Sequence, residues 1–162
     1  VLNRDISDLA ARSLAATLNE RRTAFPRKIQ AIQADLAAKG IVGGPTLSLV
    51  SDAAQTECEA RIDIATAELQ RAAESKGVRY RPGLAKDLGD ELSELTQNLC
   101  QDVEAVGTTA LHVIPNAKGG VGMFQSAVQE AVRGRLYNAR IDLGITRNWY
   151  IRESGNGHGQ RG

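Results

Sequence analysis

Aromatic residues make up only 4% of this 162-residue chain, while alanine is abundant. Strands draw heavily on aromatics, and no alternating strand pair can be read, so the composition argues against a sheet. Histidine occurs twice, too rarely for a rich metal site. His158 falls in a glycine-rich end segment, and Thr109 stands three residues before His112, where a di-iron bundle would carry a glutamate. The two cysteines, Cys58 and Cys100, form no C-x-x-C and are too few for a disulfide scaffold. Cys58 falls on an apolar helical stripe and Cys100 beside one, so each is read as a small buried hydrophobe. There is no H-E-x-x-H and no G-x-S-x-G, and no residue set nominates itself for catalysis. No cofactor and no metal are expected.

Long apolar runs are missing as well. The longest charge-free stretches, such as "AVGTTALHVIPNA", are too short to span a bilayer as a helix. Arg4, Asp5, Asp8 and Arg12 stand where a signal peptide would need an uncharged core, so a cytoplasmic protein is expected. The chain opens on Val1 rather than methionine, as a fragment or a processed chain would. Net charge is +1, which gives no global pull toward nucleic acid or membrane. Its distribution is uneven. Residues 1–40 carry seven basic and four acidic side chains, residues 41–113 six and twelve, and residues 114–162 seven and three. An acidic middle packed beside basic ends within one fold is the favoured reading; the sharper one is a basic end that binds a phosphate-rich partner.

What remains is rich in alanine and other helix formers. Leu14, Leu18, Phe25, Ile29, Ile32 and Leu36 recur at helical spacing and predict a first helix over residues 5–39. Pro26 should kink that helix or open a second one. Lys39–Gly40 reads as a glycine-capped end. A second helix opens at Pro45 or Thr46, carries Val50, Ala54, Cys58, Ile62, Ala65 and Leu69 on one face, and closes at Lys76–Gly77. A third starts near Leu84, with Leu88, Leu92, Leu95, Leu99, Val103, Val106, Ala110 and Val113 on one face, and ends at Val106 or His112. A fourth runs from about Phe124 to Tyr150, with Val128, Val132, Leu136, Ala139 and Leu143 facing the core. Short turns make sequential helices antiparallel neighbours. The expected fold is all-α: an elongated four-helix bundle over residues 1–152, or two helical hairpins assembled in a dimer, followed by a flexible tail at 153–162.

"KGGVG" at Lys118–Gly122 matches part of a phosphate-binding loop. In the partition-type ATPase version a second lysine and a serine or threonine follow, to reach the β/γ-phosphates and magnesium. Met123 and Phe124 stand there instead, and the segment before the loop is helical rather than a strand. The stretch is read as a glycine-rich connection between helices, with Gly122 near the start of the last one. A free anion near Lys118–Gly122 stays open.

The last helix has a second apolar face. Tyr137, Ile141, Ile145 and Trp149 recur every four residues, roughly opposite the core stripe, and Arg133, Arg140 and Arg147 lie between the two faces. Either this helix sits centrally with its arginines paired to acidic residues, or these seven residues form a contact with a partner. The first functional reading is a non-enzymatic interaction or scaffold protein, acting as a homo-oligomer or on a protein partner. The second is a ligand-responsive or nucleic-acid-binding regulator using the arginine stripe. The third is an enzyme with a small-molecule site inside the bundle.

Overall fold

A computed structural model describes residues 2–41, 43–79, 81–114 and 118–159; within the last stretch, side-chain surroundings are described for residues 119–144. The chain is all-helical, with no strand among the described residues. Among the described residues five helices follow one another: α1 (Arg4–Ala38), α2 (Gly44–Ser75), α3 (Leu84–Thr96), α4 (Gln101–His112) and α5 (Lys118–Gly159). Among the described residues no helix is long and apolar enough to cross a membrane.

Local chemistry sets most helix ends. The Asn3 side chain accepts a hydrogen bond from the Asp5 amide at 3.0 Å and so caps α1. α1 then continues unbroken through Pro26, which lacks the N–H that would reach the Arg22 carbonyl. At both "KG" ends the glycine takes a positive φ, 70° at Gly40 and 65° at Gly77. The next amide reaches back five residues, Ile41 to the Leu36 carbonyl at 2.9 Å and Val78 to Ala73 at 3.1 Å. These are glycine C-caps that satisfy carbonyls the helix leaves free. The sequence expectation for both ends holds.

Two elements differ from expectation. The third predicted helix is broken across residues 97–100, where short i→i+3 bonds replace the helical ladder. After the break the buried face is Val103, Gly107, Ala110 and Leu111. Val113, expected on the stripe, is past the helix end and exposed. Helix α5 begins at Lys118, before the expected Phe124, so Gly119, Gly120 and Gly122 are helical instead of forming a loop. Burial explains the shift. Phe124 is fully buried and Val121 packs beside it, and tertiary packing overrides the poor helix propensity of glycine. At the other end, the backbone of α5 is helical to Gly159, past the boundary expected at 152; residues 160–162 lie outside the described residues.

Two apolar clusters hold the helices together. One gathers Ile6, Leu14 and Leu18 of α1, Ile62 and Leu69 of α2, Leu84, Leu88 and Leu92 of α3, and Ala139 and Leu143 of α5. The other gathers Phe25 and Ile29 of α1, Val50, Ala54 and Cys58 of α2, Val103 and Leu111 of α4, and Phe124 and Val128 of α5. The beginning of α1 thus shares a cluster with the end of α2, and its later part with the start of α2. The helix contacts are consistent with a bundle. Helix α2 touches all four others.

Candidate functional site

The sequence nominated the outer face of α5, and its described part is open. Phe124, Val128, Ala139 and Leu143 are buried on one side, with Val132 and Leu136 half-buried. On the opposite side Tyr137 is 68% exposed and Ile141 49% exposed, one helical turn apart. The central arrangement, in which other helices of the same chain cover both faces, does not hold at these two residues. Arg133 is exposed beside them. Arg140 is also exposed, and its Nη2 donates to Ser93 Oγ of α3. The arginine that pairs with an acidic residue of α2 is Arg135, whose Nε donates to Asp63 Oδ1 at 2.7 Å. It lies outside the seven-residue stripe. The side chains of Ile145, Arg147 and Trp149 lie outside the described residues.

A second constellation was not legible in the sequence. Arg61 of α2 is fully buried, the largest side chain so placed. Its guanidinium is nevertheless well supplied with acceptors. Nη1 donates to Asp102 Oδ1 at 2.6 Å and Nη2 to Asp102 Oδ2 at 3.0 Å, a bidentate pair. Nη1 also donates to the Leu99 carbonyl at 3.0 Å, and Nε to Glu57 Oε1 at 3.1 Å. Glu57 in turn accepts from Arg21 Nε and Nη2 of α1, each at 3.1 Å. Three helices are thereby joined at the helix break. Asp102 strengthens the charge on Arg61 most, by hydrogen bond and field together, against the burial that opposes it.

Both cysteines border this node. Cys58 lies one turn before Arg61 on α2, and Cys100 is the N-cap of α4, next to the carbonyl that Arg61 holds. Both pack in the apolar cluster around Val103 and Phe124. The neighbouring Cys100 thiol and burial push the Cys58 thiol well above the usual range. The Cys58 side chain, with help from the Arg61 charge, holds the Cys100 thiol below it, while burial and the carboxylates of Asp102 and Glu57 oppose that. Expectation and structure agree that Cys58 is buried; they differ on Cys100, which is half-buried and borders a groove of about 340 Å³ between the helix break and α5. The one signal of the node in the sequence is the Glu57–Arg61 spacing of four beside an apolar stripe, a common surface pattern.

Cys100 and His112 stand at opposite ends of α4, about 18 Å apart by helical rise, too far for a nucleophile and its base. Among the described residues no group of three His, Cys, Asp or Glu side chains gathers to hold a metal ion. Comparison with known proteins found no matching family model, no matching curated protein and no matching solved structure.

Proposed function

We propose that this chain is a non-enzymatic helical interaction protein that binds a second copy of itself through the outer face of α5. The observation that carries the reading is the pair Tyr137 and Ile141, large apolar side chains standing together in water while the opposite stripe of the same helix is buried. Adjacent exposed apolar groups of this size mark contact surfaces. Tyrosine and arginine are the types that anchor such contacts, and Arg133 and Arg140 flank the pair. A two-fold contact would bury the same patch on both copies and let these arginines meet carboxylates of the other subunit. Ile145, Arg147 and Trp149 extend the same surface in this proposal. The helices behind it would form the antiparallel bundle that holds the face straight.

Nucleic-acid binding by the arginine stripe has less support, because Arg140 is engaged with Ser93 of α3. Sedimentation across a concentration series tests the proposal. The unmutated chain should self-associate, and Ile141→Glu should shift it toward monomer with its helical circular dichroism unchanged. An unmutated chain that stays monomeric at every concentration would overturn the dimer.

A further inference from the structure

The two cysteines were read as inert packing, yet their placement is unusual for two unrelated core residues. They come from different helices, and both pack in the cluster around Val103 and Phe124. Arg61, one turn after Cys58, donates to the Leu99 carbonyl at 3.0 Å, so the backbone next to Cys100 is tied to the helix that carries Cys58. The break in the helical ladder at 97–100 leaves Cys100 as the N-cap of α4, beside the free amides of a helix start, which favour a thiolate. Cys100 alone of the two borders an open groove, whose wall includes Val132, Arg133 and Leu136 of α5. Cys58 has no exposed surface. Cys100 is therefore the more accessible of the two.

We propose that Cys58 and Cys100 form a peroxide-responsive thiol pair, in which Cys100 is oxidised first and Cys58 resolves it to an intramolecular disulfide. The Cys100 thiolate attacks the distal oxygen of a hydroperoxide. The O–O bond breaks, the alkoxide or hydroxide leaves and takes a proton, and Cys100 becomes a sulfenic acid. The Cys58 sulfur then attacks the Cys100 sulfur. The S–O bond breaks, the departing hydroxide takes the Cys58 proton as water, and the S–S bond forms. Two thiols supply the two electrons that reduce one peroxide to alcohol and water. The charged groups near the pair include Arg61, Glu57 and Asp102, with Glu104 and Arg133 on the groove that Cys100 borders. The bond ties α2 to the break between α3 and α4, where Arg61 already holds them.

The test uses the reduced full chain and hydrogen peroxide, read by mass spectrometry. The expected product has lost two hydrogens, and its non-reduced digest joins the peptides that carry Cys58 and Cys100. In Cys58→Ala, a small apolar replacement, Cys100 should be trapped as a sulfenic acid by dimedone. In Cys100→Ala, Cys58 should stay unmodified in the folded protein. Iodoacetamide should label Cys100 at least tenfold or so faster than Cys58 in the unmutated chain, as expected for an accessible thiolate beside a buried thiol. Peroxide-treated protein that keeps two free thiols, a Cys100 that gains oxygen while Cys58 remains free, or a disulfide that joins two chains would each overturn the proposal. Circular dichroism of both variants separates a lost reaction from a lost fold.

Discussion

The ring of Phe124 on α5 lies against the backbone of Gly107 on α4, so closely that a Cβ at position 107 would fall 2.2 Å from the ring's Cζ. Glycine within a helix is ordinarily a weakness. Here it is the socket for one of the largest buried side chains in the protein. Gly107→Ala should therefore destabilise by about 1–3 kcal/mol through overpacking, even though alanine favours the helix by about 1 kcal/mol. Urea melts followed by circular dichroism measure it. A double-mutant cycle with Phe124→Leu should recover part of the loss, since the shorter side chain vacates the contested space. A stabilised Gly107→Ala protein would show that the ring does not sit there.

The node at Arg61 should behave unlike an ordinary ion pair. Arg61→Ala removes the partner of Glu57, Asp102 and the Leu99 carbonyl at once. A loss of about 3–5 kcal/mol is expected, as for breaking other buried pairs. Arg61→Lys should recover little, because a single ammonium cannot reproduce the bidentate pair with Asp102. Thermal melts of the two variants should fall close together and well below the unmutated protein.

Arg135 and Asp63 supply the contrast. Their geometry is also bidentate, but the side chains are 40% and 49% exposed. Water screens such a pair, so Arg135→Ala should change stability by no more than about 1 kcal/mol, with the difference shrinking as salt is added. A loss as large as that of Arg61→Ala would mean that this pair is shielded from solvent in some way, for instance by a second copy.

Pro26 interrupts the hydrogen-bond ladder of α1 without ending the helix. It is half-buried and borders a groove of about 330 Å³ between α1 and α4. Pro26→Ala restores an amide to face the Arg22 carbonyl, and should stabilise the protein by about 1–3 kcal/mol, within the range a mid-helix proline costs. A destabilised variant would mean that the proline ring contributes packing that alanine cannot replace.

How much of this was legible depends on how far the decisive interaction reaches along the chain. Both "KG" ends could be read because a glycine cap is settled within six residues. The apolar faces of α1 and α2 could be read because Leu14, Leu18, Phe25 and Ile29, or Val50, Ala54 and Ile62, repeat at helical spacing and are buried as that spacing implies. The break before α4 could not. Leu95, Leu99 and Val103 stay in helical phase across it, and the group that holds the freed Leu99 carbonyl lies far back in the chain, on Arg61. Apolar periodicity is also blind to a buried arginine, so the residue that joins α2 to α4 looked like surface. The start of α5 was placed late, near Phe124, because three glycines outweighed Val121 in a local reading, while burial decides the outcome. On the outer face of α5, Tyr137 and Ile141 were identifiable from spacing alone. The companions proposed for them, Ile145 and Trp149, have side chains beyond the described residues.

The guanidinium of Arg61 also fixes alignment along the bundle axis. The seam of α2 is built largely from alanine and medium-sized apolar residues that repeat every turn. Sliding α4 along it by one turn, about 5.4 Å, would bring similar side chains together again at little apolar loss. The same slip would strand a cation in hydrocarbon with its carboxylate a turn away, at several kcal/mol. The ion pair thus acts as a locating pin in a rail that would otherwise accept several positions. Because α5 packs against both α2 and α4, the pin also sets the height at which Tyr137 and Ile141 stand above the rest of the molecule. That face therefore has one geometry instead of a family of shifted ones.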